Sequence, residues 1–263
     1  MRTIRSALKY PPKHSPADCP PHTVEVGARP PSEAAILLPL MNIQGEPCIL
    51  LSRRSEKLRV HAGEVSFPGG KADPTDANLA AAAMREAEEE LGIPVENVEL
   101  LGMLEPPEYS LGNRARVWAF VGFVHDRPFD ILNSATQFRS QKVGPLTSLS
   151  LSDLKPSTSE VSGLIPFPLF LLADKESDRR SLHFFRMDPG KPYWKYKVGD
   201  LFVNTDGTGQ SIEGLRSDKC EVWGLSGWFL HRLLKRMGLT EDPVMAQIRS
   251  ETGTETQGNL TYT

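Results

Sequence analysis

From Leu79 to Leu91 an apolar residue returns at every fourth position: Leu79, Ala83, Ala87 and Leu91. At the pitch of an α-helix this lays one apolar stripe along one side. Gly92-Ile93-Pro94 follows and reads as a helix stop. The start is expected after Asp76, with Asp73 as the alternative cap. A chain with this segment in its middle must bury an amphipathic helix against something, and the flanking apolar runs are too short for helices. The segment also carries a load that its position disfavours. "MREAEEELG" (Met84–Gly92) places Glu86, Glu88, Glu89 and Glu90 at the C-terminal end. There the macrodipole opposes negative charge by about 0.3–1 kcal/mol per group. Like charges three or four residues apart cost roughly 0.2–0.5 kcal/mol more per pair.

At about 100° per residue, Glu86, Glu89 and Glu90 fall within one arc of about 100° beside the stripe, and Glu88 points elsewhere. A solvated acidic face is the plain reading of such a cluster. Converging oxygen ligands beside a buried stripe also suit hard divalent cations such as Mg²⁺ or Mn²⁺, which would offset both penalties. Arg85 can pair with Glu88 or Glu89 and hold a carboxylate in one rotamer.

The surrounding pattern is one of strands. Ala34–Leu40 and Cys48–Leu51 are apolar runs separated by Asn42-Ile43-Gln44-Gly45-Glu46, a strand, turn and strand. Val98–Leu104 is another strand candidate. Val117–Val124 ("VWAFVGFV") is β-branched and aromatic and should be buried on both faces. Ser162–Leu172 is apolar but broken by Pro166 and Pro168. His183–Arg186 and Tyr193–Val198 read as strands, and Glu221–Gly224 as a strand leading into a helix over Gly227–Met237. The order of strands, helix, strands and helix predicts an α+β or α/β domain with a mixed sheet. That domain should span residues 33–240, with a Ser- and Thr-rich surface insertion at 133–159. A disordered or targeting segment, residues 1–32, would precede it, because Pro11-Pro12, Pro20-Pro21 and Pro30-Pro31 favour extended chain. A loose tail, 241–263, would follow.

The 263 residues suffice for one sizeable core, and 39% apolar with 24% charged residues fits a soluble globular protein. A net charge of -3 gives no global attraction to nucleic acid or anionic membrane. No apolar run reaches the roughly 18 residues of a membrane span. Cys19, Cys48 and Cys220 have neither metal-ligand spacing nor the even number of a disulfide framework, so a reducing compartment is expected. Basic residues Arg2, Arg5, Lys9 and Lys13 suit either an organellar signal or an ordinary tail. An intracellular location is expected, with peroxisome, mitochondrion and cytoplasm left open. Nothing in the sequence sets the oligomeric state.

The stretch just before the helix sharpens the metal reading. "FPGGKADPTDANLAAAAMREAEEELGI" (Phe67–Ile93) closely resembles the Nudix box, Gly-x5-Glu-x7-Arg-Glu-U-x-Glu-Glu-x-Gly-U with U apolar. Gly70, Arg85, Glu86, Ala87, Glu89, Glu90, Gly92 and Ile93 fill its positions. Asp76 stands where the first Glu is expected, and eight residues rather than seven separate it from Arg85. The resemblance implies the Nudix fold, an α/β/α sandwich with a mixed sheet between helices. It also implies a Mg²⁺ or Mn²⁺ cofactor held by the Gly70 carbonyl, Glu86, Glu89 and Glu90.

Upstream, "LLSRRSEKLRVHAGEVSFPGG" (Leu50–Gly70) resembles the segment that marks the coenzyme A diphosphatase branch of that family. Leu50, Leu51, Arg54, Ser55, Arg59, Gly63, Phe67, Pro68, Gly69 and Gly70 match it, and Ser52 replaces a Thr. Of these, Arg54, Ser55, Arg59, Gly63, Phe67, Pro68 and Gly69 become candidate substrate-binding residues. Arg53, Arg54, Lys57 and Arg59 together form a basic patch, and guanidinium is a natural partner for phosphate. His61 is read as a loop histidine. "SEVSGLIPFPL" (Ser159–Leu169) resembles the Glu-Val segment of the same branch, which makes Glu160 a candidate base or extra metal ligand. Glu86, Glu160 and Arg85 are thus the candidate catalytic residues. "CEVWGLSGWFL" (Cys220–Leu230) resembles the closing strand and helix, with Trp223 and Trp228 expected in the core. Residues 173–215 compare only loosely.

The resemblance implies hydrolysis of coenzyme A or acyl-CoA to 3′,5′-ADP and 4′-phosphopantetheine or its acyl form. Hydrolysis of ADP-ribose, NADH or another nucleoside diphosphate derivative is the alternative, and a non-catalytic Nudix-fold binding module is the rival outside enzymes. A non-catalytic module would be expected to lose metal carboxylates, and none is missing here.

Overall fold

The computed structural model describes residues 32–110, 115–129, 146–174, 177–185, 188–205 and 220–240. The N-terminal segment up to residue 31, the first part of the expected insertion (133–145) and the tail from 241 lie outside the described residues. The helix of the opening argument, α1, spans Leu79–Leu91. Strands β1 (Glu33–Ile43), β2 (Glu46–Arg54), β3 (Val65–Ser66) and β4 (Gly69–Lys71) precede it. After it come β5 (Val98–Tyr109), β6 (Arg116–Val124) and β7 (Val161–Pro168), then a short helix α2 (Leu169–Ala173). β8 (Arg180–Phe185), β9 (Asp188–Lys197), β10 (Val203–Asn204), β11 (Glu221–Val222) and helix α3 (Gly224–Arg236) complete the order.

The main sheet runs β10-β7-β2-β1-β6-β5, with β3 paired to β2 and β4 to β1. Only β1 and β6 pair in parallel in that path; their neighbours are antiparallel, so the sheet is mixed, as the element order predicted. Its central strands show the two-residue period of a sheet covered on both faces. Ala35, Leu37 and Met41 of β1 and Trp118, Phe120 and Val124 of β6 turn toward α1. Ala34, Leu38 and Leu40 of β1 and Val117, Ala119, Val121 and Phe123 of β6 turn the other way. There they meet Phe167, Tyr196, Phe229 and Leu233. That second layer is α3 together with a three-stranded sheet, β11-β9-β8. The loosely comparable stretch 173–215 thus supplies the hairpin β8–β9, whose Tyr196 is fully buried.

One cap and one aromatic differ from expectation. Asn78 caps α1, its Oδ1 accepting from the Ala81 N–H at 2.9 Å. Asp73 and Asp76 instead build the preceding turn, where Asp73 N–H donates to Asp76 Oδ2 at 2.7 Å and Thr75 N–H to Asp73 Oδ1 at 2.8 Å. The capping role passes to Asn78, the next short polar side chain. Trp223 lies just outside β11 and is 46% exposed rather than in the core. Trp228 is half-buried and donates its indole N–H to Glu108 at 2.9 Å.

The helix stop is as expected. Gly92 is left-handed, φ 69°, and its N–H closes on the carbonyls of Ala87 and Glu88. A Cβ there would stand 2.6 Å from the Lys155 backbone nitrogen. Lys155 belongs to 146–159, the described part of the expected surface insertion. This part packs on the end of α1: Leu154 is buried, and Ser157 N–H donates to the Glu90 carbonyl at 3.0 Å. G92A therefore combines a backbone penalty with a steric one. It is expected to lower stability by about 2 kcal/mol or more, a fall of at least about 4 °C in Tm, read by thermal unfolding. An unchanged Tm would show that Lys155 does not press on the helix end.

Candidate active site

Alanines at 80, 82, 83 and 87 let α1 approach the sheet closely, and all four are fully buried. At β4 a helix side chain comes directly against the strand backbone. A Cβ on Gly70 would meet Glu86 Oε1 at 2.5 Å, so the carboxylate occupies the space a side chain would need. One turn along, Glu90 is 4% exposed and is held from two sides. Gly69 N–H donates to its Oε2 at 3.3 Å, and Arg54 Nη1 approaches its Oε1 at 3.5 Å. Burial drives the Glu90 carboxyl up to about 7; Arg54 and the Gly69 N–H oppose the rise, and the charges of Glu86 and Glu160 add to it. Burial also raises Glu86, against the pull of Arg85. Glu86, Glu90 and Glu160 thus repel one another across a small space.

Arg85 organises the other side. Its Nε and Nη2 grip the Asp76 carboxylate at 2.9 and 3.2 Å, and Nη2 also reaches the Lys71 carbonyl at 3.2 Å. Nη1 meets Glu86 at 2.9 Å and Glu89 at 3.1 Å. Burial alone would raise Asp76, yet the Arg85 and Asp73 hydrogen bonds hold it below the usual carboxylate value. The hydrogen bond to Asp76 is the main reason the guanidinium is raised. Asp76, standing where the box has Glu, therefore ties the loop to the helix through Arg85. The departure at Asp76 is visible in the sequence but its partnership with Arg85 is not, because an i and i+9 spacing across a turn gives no periodic signal.

The expected convergence of three carboxylates holds for two. Glu89 is 60% exposed at its side chain and is engaged by Arg85, and Glu88 is exposed, as expected. Among the described residues no three His, Cys, Asp or Glu side chains form a ready-made metal cluster. The donor set fits a hard divalent cation through Glu86, Glu90 and the Gly70 carbonyl, because one buried and one half-buried acid, both raised by burial and mutual repulsion, gain from a shared positive charge. Glu89 could join them only by leaving Arg85.

Of the candidate substrate residues, Arg54 and Gly69 touch Glu90 directly. β2 ends at Arg54, and the chain from Ser55 to Glu64 forms a loop whose ends are tied: Arg54 N–H donates to the Glu64 carbonyl at 2.9 Å and Gly63 N–H to the Arg54 carbonyl at 3.2 Å. The Glu56 carboxylate packs on Gly63. His61 is exposed and pairs with Glu64 at 3.0 Å. Ser55 is buried, and its N–H donates to the Glu160 carbonyl at 2.7 Å, so exposed Glu160 is anchored beside the loop's start. Phe67 and Pro68 are buried; Phe67 is a core residue, and the Pro68 carbonyl accepts from Leu37 N–H at 3.0 Å. Their place is under the loop. The basic patch is smaller than expected. Arg53 is 8% exposed and is engaged by the exposed Glu56 and by Ser162. Lys57 and Arg59 are exposed.

Residues 30–157 match the family model described as the NUDIX domain. Just under half of the chain is thus similar to the NUDIX domain, and the mixed sheet with α1 against it is the Nudix fold. Among curated proteins it is similar to the "Uncharacterized Nudix hydrolase NudL" of Yersinia enterocolitica serotype O:8, 52% identical over 93 residues. That stretch is 35% of this chain and 46% of the relative. The protein of the same description from Yersinia pestis (strain Pestoides F) is 53% identical over 79 residues, 30% of this chain and 39% of its own. The chain therefore spans less than half the length of these relatives. Solved structures that resemble it include a MutT/nudix family protein from Enterococcus faecalis, at 13% identity and a TM-score of 0.40, covering 86% of this chain and 70% of that one. The C. elegans Ap4A hydrolase binary complex is another, at 18% identity and a TM-score of 0.37, covering 54% and 82%.

The raised Glu90 has a measurable consequence without divalent ions. Between the ordinary glutamate value and about 7, folded Glu90 keeps a proton that the unfolded chain has released. Stability falls as pH rises through that window. Urea unfolding in chelator from pH 4.5 to 8 should show wild type losing about 2 to 3 kcal/mol relative to E90Q. Parallel profiles would contradict the burial argument.

Proposed function

We propose that the protein is a Mg²⁺- or Mn²⁺-dependent hydrolase of the diphosphate bond of coenzyme A and its thioesters. The products are 3′,5′-ADP and 4′-phosphopantetheine or its acyl form. The observation that carries this reading is the joining of two devices at one point: the loop Ser55–Glu64 leaves β2 at Arg54, and Arg54 is the partner of buried Glu90. An arginine-bearing loop is thereby set against an acidic, cation-seeking pair. That the first relatives carry the name Nudix hydrolase supports the hydrolase part.

Glu86, Glu90 and the Gly70 carbonyl would hold the cation, with Glu89 as a further ligand. When bound, it neutralises diphosphate charge and acidifies a water. Arg85 keeps Glu86 oriented, because its other donors are fixed on Asp76 and Lys71. Glu160 accepts the proton of the attacking water; its exposure leaves the carboxylate accessible while its backbone is pinned to Ser55. Arg59, exposed on the loop, meets the phosphate farthest from the reaction, the 3′-phosphate of coenzyme A.

Two experiments test this reading. E90Q and E86Q should each lose at least about 10²-fold in kcat with the fold intact, and E88Q should be nearly silent; equal losses at 88 and 90 would contradict the assignment. R59A should lose roughly 10- to 150-fold more kcat/KM on coenzyme A than on dephospho-coenzyme A, the worth of one charge-assisted hydrogen bond. A higher kcat/KM for ADP-ribose or NADH than for coenzyme A would overturn the substrate. Failure to hydrolyse any of them would leave a binding module.

A further inference from the structure

Arg54 is the one candidate substrate residue whose charged end already has an acidic partner at the cleft. Its Nη1 lies 3.5 Å from Glu90, whose side chain is 6% exposed, while the Arg54 side chain is 25% exposed. The contact is long, and it uses little of a five-donor group. Buried Nε of Arg54 has no hydrogen-bond partner among the described residues. A buried guanidinium donor left unspent is costly unless something supplies an acceptor. The neighbouring charges are acidic. Glu86 and Glu160 both raise Glu90 electrostatically, and Arg85, the other cation here, is committed to Asp76, Glu86, Glu89 and the Lys71 carbonyl. Arg54 is therefore the counter-ion of Glu90 in the ligand-free protein, with donors to spare for an anion.

We propose that Arg54 is a latch shared between Glu90 and the diphosphate of the substrate, so that cation and diphosphate each release the other's binding group. The inference rests on the metal-dependent reading above and deepens it. While Arg54 neutralises Glu90, a cation meets a weakened ligand and a positive neighbour, and an anion meets an occupied guanidinium. A diphosphate on Arg54 frees Glu90 for the cation; a cation on Glu90 frees Arg54 for the diphosphate. Such coupling is reciprocal and is typically a factor of about 5 to 150. Placement beside Glu90 also assigns Arg54 to the reacting diphosphate and leaves the distal phosphate to Arg59. A substrate lacking the diphosphate would then leave the latch closed.

Binding measurements on the full chain test this without turnover. Mn²⁺ alone, titrated by the electron paramagnetic resonance signal of the free ion, should bind R54Q at least about fivefold more tightly than wild type, and R54K close to wild type. In chelator, methylenediphosphonate should bind E90Q at least about fivefold more tightly than wild type. E89Q, which removes an equal charge not paired to Arg54, should give a smaller gain. The E90Q arm keeps the inference testable should R54Q fail to fold. Mn²⁺ binding to R54Q no tighter than to wild type, or equal anion gains in E90Q and E89Q, would overturn the latch and leave the hydrolase reading standing. Wild type that binds no Mn²⁺ would overturn both.

Discussion

A buried carboxylate beneath side-chain-free backbone is the constraint on which the site depends. Glu90 loses its water when α1 seats on the sheet, and burying a carboxylate is expensive unless its oxygens find partners. Here the partners come from two strands, the Gly69 N–H and the Arg54 guanidinium. Both require α1 close to the sheet, which the fully buried alanines allow, and a strand with no side chain at Gly70, where Glu86 takes the space. The same closeness fixes the helix end, since Ser157 N–H reaches the Glu90 carbonyl and Lys155 passes against Gly92. Fold and cleft are therefore held by one contact zone, and the energy spent there raises two acids toward the protonated form.

Much of the fold was legible because its elements speak in simple periods. β1 and β6 are two-faced apolar strands at the centre of a mixed sheet, and α1 ends at a left-handed glycine. What was not legible depends on contacts distant in sequence. The strands of the hairpin β8–β9 were legible in His183–Arg186 and Tyr193–Val198, but not the edge-on packing of Tyr196 against Phe167. The segment around Leu154 has no periodicity, and its burial is decided by the end of α1. Trp223 was expected inside on composition alone; its place after the two-residue strand β11 turns it outward.

The site shows the same division. On a helical wheel starting at Leu79, Glu90 lies eleven residues on, at about 20°, inside the stripe that ends with Leu91 at about 120°. Glu86 falls at about -20°, on the stripe's edge, and Glu89 at about -80°. That order is the observed order of exposure: Glu90 buried, Glu86 half-buried, Glu89 exposed. The arc was therefore readable in more detail than three converging acids. The pairing of Arg85 with Asp76, the burial of Arg53 and the approach of Arg54 to Glu90 were not readable, because each joins residues on different elements.

The proposed seat of a divalent cation is Glu86, Glu90 and the Gly70 carbonyl. A crystal soaked in Mn²⁺ and measured at the manganese edge tests it most directly. The expected result is an anomalous peak coordinated by the Gly70 carbonyl and by carboxylate oxygens of Glu86 and Glu90, with the Arg54 guanidinium displaced from Glu90. A peak held elsewhere, or none between β4 and α1 in crystals that bind Mn²⁺ at another point, would contradict it.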